Sequence, residues 1–364
     1  MVPSIEEDDL QAVREALLSG FLVQGPRVEA FERTTAQYVG LEHAVAVSSC
    51  TAALHLALLA LGVGRGDRVA VTTYSWPATA NVIALVGAEP VFVDIEPSTF
   101  NMSPAALEET LHGTAVKAVM PVHTFGGPAD MPQIVEIAGR FGVPIIEDAA
   151  CALGAELNGR KAGTWGVMGC FSFHPRKAIT TGEGGMIVTV DPELARKLRI
   201  LRNHGLDPTA DLPDFVDAGY NFRLTEFQAA LGTSQLNKLE RFIAKRRARA
   251  AQYDRLLEGT GVTTPVALRG SCHVYQSYVA LLPAECAPRR GEIIAGLKSE
   301  CIETSIGTYH MPLTTYYRKR GGYRPGNFRV TDDVFARALA LPLYESLTEA
   351  EQEKVVRTLL RLVD

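Results

Sequence analysis

The sequence predicts an α/β protein: a mainly parallel sheet covered on both faces, then a smaller α+β domain towards the C-terminal end. Three observations carry this. At 364 residues the chain is long for one hydrophobic core, and about two domains is the expectation. Its strands read as continuous Val/Ile/Ala runs, as strands buried on both faces do. Those runs alternate with helical stretches, the pattern of βαβ units. The expected division is 1–240 for the large domain and 241–364 for the small one, with the first residues as candidates to pack on the small domain.

The elements follow in order. Ser4 and Glu7 have capping-box spacing, which predicts a first helix from near Ile5. Ala44 to Val47 is a buried strand, and the helix after it places Leu54, Leu58 and Leu61 on one face. Strands are predicted at Arg68 to Thr73, Pro90 to Ile95, Val116 to Val122 and Val143 to Ile146. Helices are predicted at Ala78 to Val86, after the Ser103-Pro104 cap, and at Met131 to Arg140. Cys170 to Phe173 and Met186 to Val190 are two further strands, and Asp191-Pro192 caps another helix. One long helix is expected from Leu224 to about Leu257. Beyond it come a strand at Tyr275 to Leu282, a helix near Glu292 to Ser299, and a last helix capped by Thr348 and Glu351.

Composition narrows the function. A net charge of −5 supplies no field for nucleic acid or acidic membranes. The basic run Lys245-Arg246-Arg247-Ala248-Arg249 reads as a solvated helix face. The apolar window from Trp76 to Val93 is broken by Pro77, Asn81, Glu89 and Pro90, so no membrane span is expected. The acidic start Glu6-Glu7-Asp8-Asp9 is unlike a signal peptide. Six cysteines without a CxxC pair fit free thiols in a reducing cytoplasm, and eight histidines without HxxxH speak against a metal site.

Four segments carry chemistry. Gly169 to Lys177 delivers one lysine from a run of small and apolar residues, and Gly182-Glu183-Gly184-Gly185 leads the chain away. Apolar crowding disfavours the charged form of Lys177, which suits an amine that attacks a carbonyl. Ser48-Ser49-Cys50-Thr51 stands where a strand meets a helix, a place whose free amides hold anions; the plain alternative is an N-cap by Thr51. Ser172 adds a hydroxyl near the same place. Trp76, just past a strand's carboxyl end, offers a flat face to the crevice where α/β proteins bind ligands, or else packs in the core. Val143 to Ala150 ends an apolar strand in Glu147-Asp148, whose buried carboxylate needs a partner such as a protonated pyridine nitrogen. An anion cradle, a stacking ring, a strand-end aspartate and a nucleophilic lysine, in that order, make a pyridoxal phosphate site.

The chain resembles the DegT/DnrJ/EryC1/StrS aminotransferases, sugar aminotransferases of fold type I. The likeness runs from Leu22-Val23-Gln24-Gly25-Pro26 to Leu341-Pro342-Leu343-Tyr344. Its most specific pieces are Ser48 to Leu54, Glu147 to Ala150, Phe171 to Lys177 with the glycine turn, and Gly219-Tyr220-Asn221-Phe222-Arg223-Leu224. The resemblance implies that Lys177 carries pyridoxal phosphate as a Schiff base. It also implies that Asp148 pairs with the ring nitrogen, and that Trp76 and Ala150 sit on opposite ring faces. Cys50, Thr51 and Ser172 would hold the phosphate, and Asn221 would reach the neighbouring subunit's phosphate in a homodimer with shared sites. Departures are Cys50, where many members have glycine, Cys151, where many have glutamine, and Val167, where aspartate is frequent.

The resulting expectation is transfer of an amino group from L-glutamate or glutamine to a ketosugar, with a nucleotide-linked keto-deoxysugar first. Arg223, Tyr309 and His310 are candidate substrate contacts. A keto-cyclitol acceptor and a non-catalytic cofactor-binding regulator are the alternatives. The intact lysine and aspartate argue against the second.

Overall fold

A computed structural model describes residues 3–207, 212 and 214–364. Its centre is a sheet built from β1 (His43–Val47), β2 (Arg68–Thr72), β3 (Glu89–Val93), β4 (Ala118–Met120), β5 (Ile146–Asp148), β6 (Met168–Ser172) and β7 (Gly185–Thr189). The spatial order is β3-β2-β4-β5-β6-β7-β1, with β4 joined to β5 through the parallel bridges Val119↔Ile145 and Val122↔Asp148. Only β7 runs against its neighbours in this sheet. The strands are buried nearly throughout, as their unbroken apolar runs require.

Helices cover both faces. On one side α3 (Cys50–Ala60), α4 (Ala78–Leu85) and α7 (Pro192–Arg202) pack around Leu54, Leu58, Val71, Ile83 and Leu198. α5 (Pro104–Gly113) and α6 (Met131–Arg140) cover the β3-β2-β4 end with Leu107, Ile134 and Ile137. On the other side α2 (Pro26–Val39) and α8 (Glu226–Leu236) enclose Phe31, Phe171 and Phe173. Caps read from sequence recur: Ser103 accepts from the Ala106 amide, Asp191 from Glu193 and Leu194, and Thr348 with Glu351 closes a capping box on α11 (Glu349–Val363).

Several expectations change. α1 spans Glu7–Leu18, and its box is formed by Glu6 and Asp9, whose carboxylate accepts from the Glu6 amide at 2.8 Å. Glu6 wins over Ser4 because Asp9 is also held by Lys238 (2.8 Å) and Gln235 (2.8 Å), which fixes the first turn there. These same bonds seat α1 on α8, while Glu6 also pairs with Arg241 at 2.6 Å. The long helix from Leu224 is two, α8 and α9 (Leu239–Leu257), broken at Asn237-Lys238 where Lys238 turns towards α1. The strand read at Val143 to Ile146 lies later, because pairing with β6 sets its register from Ile146↔Met168 to Asp148↔Cys170.

The second core lies between α9, α10 (Arg290–Ser299), α11 and the antiparallel pair β8 (Tyr278–Leu281) with β9 (Ala338–Leu341). α9 serves both cores: Leu239, Phe242 and Ile243 belong to the large one, Ala250, Tyr253 and Leu257 to the small one. The C-terminal segment also returns to the large domain. Tyr309–His310 pairs with Tyr74–Ser75, Ser271–Cys272 pairs with Glu156–Leu157, and Tyr317 packs on Phe92. The two units therefore interleave around α9 and these returns.

Candidate active site

β1, β2, β5 and β6 all point their carboxyl ends to one edge of the sheet. Ligands of open α/β sheets bind at that edge. β5 ends in two carboxylates that alternate sides, as successive strand residues must. Glu147 is turned to the structural side. It is fully buried and accepts from the amides of Gly163 (2.8 Å), Trp165 (2.5 Å) and Gly166 (2.6 Å). His123 completes its shell at 2.8 Å. Nδ1 of His123 accepts from the Ala129 amide, so Nε2 carries the hydrogen and donates to Glu147.

Asp148 is turned the other way. One oxygen accepts from the Thr79 hydroxyl at 2.7 Å and the other from the Ala150 amide at 3.1 Å. A carboxylate has about four acceptor positions, so room remains for another donor. Burial pushes its pKa up; Thr79, Ala150, Lys177 and His123 oppose this without cancelling it. Asp148 is thus a buried acid short of positive charge. Thr79 also bonds the Trp76 carbonyl and Ser75, which ties the aromatic strand end to the aspartate.

Lys177 follows β6 in a turn closed by its own amide donating to the His174 carbonyl at 2.8 Å. Its Nζ lies 3.1 Å from Cys151 Sγ. Burial lowers its pKa, but Cys151, Cys50 and Asp148 together raise it more, so the net direction is up. The sequence reading of a lysine whose charge is disfavoured is corrected here: its neighbours are thiols and a carboxylate as well as apolar groups.

The α3 N-terminus faces the same cluster. Ser49, not Thr51, is the N-cap and accepts from the Ala52 amide at 3.1 Å. The first amides of the helix, at Cys50 and Thr51, have no intrahelical acceptor. Cys50 is buried, with its thiol pKa pushed well up by burial first, and Thr51 is exposed. Gly185 is needed beside them: a Cβ there would meet the Ser49 carbonyl at 2.4 Å and the Cys50 amide at 2.6 Å. Ser172, the last residue of β6, is buried, and its hydroxyl accepts from the His174 amide at 3.4 Å.

The remaining candidates divide. Trp76 is 60% exposed, free to take a flat ligand, and stands edge-on to Tyr309 at 5.5 Å. His310, the next residue, points the opposite way. It is buried, and Nε2 lies 3.0 Å from Asp332. Ala150 is half-buried next to Asp148. Asn221 is exposed and accepts from Arg223 Nε at 3.0 Å, and Arg223 also donates to Asn203 at 3.1 Å. Thr79 and the shell of Glu147 were not anticipated; Thr79, one turn past Trp76, reads in sequence as an ordinary helix threonine.

These residues fit pyridoxal phosphate. The donor set offers free helix amides and Ser172 for a phosphate, a buried acid with a vacant acceptor position for a ring N–H, and an amine for an aldehyde. Residues 3–360 match the DegT/DnrJ/EryC1/StrS aminotransferase family. The chain belongs to that family. Among DegT/DnrJ/EryC1/StrS-like relatives, the spore coat polysaccharide biosynthesis protein SpsC of Bacillus subtilis is 37% identical over 374 residues, covering 100% of this chain and 96% of SpsC. The structure of PseC from Helicobacter pylori, an aminotransferase of pseudoaminic acid biosynthesis, superposes with a TM-score of 0.93 at 28% identity, covering 99% of this chain and 97% of that one. The PLP form of Spr1654 from Streptococcus pneumoniae superposes with a TM-score of 0.92 at 27% identity, covering 100% and 97%. The protein is accordingly a pyridoxal-phosphate-dependent aminotransferase of fold type I. No helix among the described residues is long and apolar enough to cross a membrane.

Proposed function

We propose that this aminotransferase moves the amino group of L-glutamate, or glutamine, to the carbonyl of a nucleotide-linked ketosugar. The observation that carries the catalytic assignment is the convergence of Lys177, Asp148 and the free amides of α3 on one sheet edge. Pyridoxal phosphate, when bound, supplies an electron sink for the carbon that bears the amine.

The chain's own residues do the rest. The amides of Cys50 and Thr51, with the Ser172 hydroxyl, hold the phosphate. Asp148 holds a proton at the ring nitrogen. A positive charge at the ring nitrogen would relieve a buried acid whose pKa burial pushes up despite the nearby Lys177. Trp76 supplies a stacking face and Ala150 a small opposite wall. Lys177 attaches the cofactor through Nζ. When free, Nζ would act as a positioned general base that takes the proton from the donor's α-carbon and, over the whole transfer, delivers one to the acceptor carbon that gains the amine. Water supplies the carbonyl oxygen as the donor leaves as a 2-oxoacid; the ketosugar then takes the amine and its carbonyl oxygen leaves as water.

Tyr309 and Arg223 are the substrate contacts this reading keeps. Tyr309 lies on Trp76, and Arg223 shares a hydrogen bond with Asn221. His310 ranks behind them, since its ring is buried with Nε2 on Asp332 and only Nδ1 left without a partner. Asn221, exposed on its own chain, is assigned to the phosphate of the partner in a homodimer.

Sugar-linked processes named for SpsC and PseC support a sugar acceptor over a keto-cyclitol. The deciding experiment charges the enzyme with amine from L-glutamate and offers nucleotide-linked ketosugars and keto-cyclitols in parallel. Amination of a nucleotide-linked ketosugar is expected. Amination of the cyclitols alone would overturn the acceptor assignment, and failure to accept amine from any amino acid would overturn the reaction.

A further inference from the structure

The peptide that carries Lys177 is held from the other end of the chain. Gln276 lies just before β8. It is buried, and its Nε2 donates to the Arg176 carbonyl at 3.0 Å. That carbonyl belongs to the peptide link directly preceding Lys177. Within the turn, the Lys177 amide is fixed on His174 and the Arg176 amide donates to His174 Nδ1 at 3.2 Å. The bond from Gln276 fixes the outward-facing oxygen that those local bonds leave open.

Gln276 is itself built into place. The residue before it, Tyr275, has φ of 48°, in the left-handed region that a tyrosine adopts only when its surroundings impose it. His273 imposes it: Nδ1 accepts from the Tyr275 amide at 2.8 Å and the two rings stack at 4.0 Å. Behind them lies Arg246, 2% exposed. It donates to the Gln276 carbonyl at 3.1 Å and to Glu345 at 3.0 Å. A buried guanidinium with several acceptors is a rigid fixture. The basic run in α9 is therefore not all solvated face, since its first arginine, Arg246, anchors this turn.

We propose that Gln276 is a positioning residue for Lys177: it holds the lysine's backbone still, so that only the side chain moves when the amine attaches or leaves. The inference rests on the assignment of Lys177 made above. A catalytic group held to within a fraction of an ångström gains rate that a loose one forfeits.

The test measures capture of pyridoxal phosphate by the full-length cofactor-free protein. Aliquots are fixed with borohydride over time and mapped by peptide mass. Gln276→Met keeps the bulk and removes the donor. Gln352→Met is the control: Gln352 is also buried and donates to the Arg249 carbonyl at 2.8 Å. Capture at Lys177 is expected to slow by about tenfold or more in Gln276→Met and to stay at the wild-type rate in Gln352→Met. Should Gln276→Met not fold, Gln276→Leu, which is also neutral and lacks the donor, carries the same expectation. Wild-type capture rates in the Gln276 variants would overturn this inference and leave Lys177 assigned. Equal slowing in the Gln352 control would overturn it too, as a general loss of stability. Label away from position 177 in the wild-type protein would overturn the underlying assignment instead.

Discussion

Asp148 and Glu147 are adjacent carboxylates with opposite duties, and the difference lies in what surrounds them. Glu147 is saturated by three amides and a histidine, so it has nothing left for a ligand. Asp148 accepts two bonds and is held above the ordinary carboxylate range by burial. A group with a raised folded-state pKa contributes stability that is present below its unfolded value and lost as pH rises through the folded one. Asp148→Asn, which removes a charge that burial disfavours, should therefore raise the unfolding midpoint of the cofactor-free protein at neutral pH. The same variant should lose at least about a hundredfold in kcat. Calorimetry and steady-state kinetics on one preparation check both, and a lower midpoint with unchanged kcat contradicts the role given to Asp148. Cys151 acts on Lys177 in the direction of a higher pKa. Cofactor capture needs the neutral amine, so Cys151→Ala should move the pH midpoint of capture downwards; an upward move would contradict the 3.1 Å contact as the cause. The strand-end aspartate, the lysine and the helix amides stand out in sequence because each sits at a punctuation mark between elements, and the fold brings them to one sheet edge. Thr79, Gln276 and the Glu147 shell could not, because their partners are tens to a hundred residues away and nothing local marks the bond.

At the scale of elements, β5 and the loop after it are the hinge between structure and chemistry. Glu147 ties the start of the Gly163–Gly166 loop and His123 to that strand, which holds Asp148 in register with β6. Glu147→Ala leaves three amides and an imidazole without their acceptor, and buried groups left so are costly. A loss of about 3 kcal/mol or more is expected in denaturant unfolding. A loss below about 1 kcal/mol would mean that water or relaxation replaces the carboxylate. Helix starts were readable where a proline or capping pair marks them, as at Ser103-Pro104, Asp191-Pro192 and Thr348 with Glu351. The break at Asn237-Lys238 was not, because a lysine drawn to α1 ends α8 by a tertiary contact, not by local propensity. The strand ending at Asp148 was misplaced by a few residues for the same reason: its partner strand sets its limits.

At the scale of the whole molecule, the α/β class and the smaller second core followed from apolar runs and their alternation with helices. The interleaving did not, since the Tyr309–His310 strand and the Gln276 turn return to the large domain through pairings no periodicity announces. These returns bring Tyr309 to Trp76 and Gln276 to the lysine turn, so site assembly requires both cores. If the site is also shared between subunits through Asn221, two inactive proteins, Lys177→Ala and Asn221→Ala, should complement when mixed under exchange conditions. Half the dimers are then mixed, each with one intact site, and about a quarter of wild-type activity should return. No recovery despite demonstrated exchange would place Asn221 in its own chain's site or in none. The most direct measurement of the central claim is the position of the borohydride-fixed cofactor on the native enzyme. One label per chain, on the peptide bearing Lys177, is the predicted result; a label on any other lysine, or none on a cofactor-loaded protein, would contradict it.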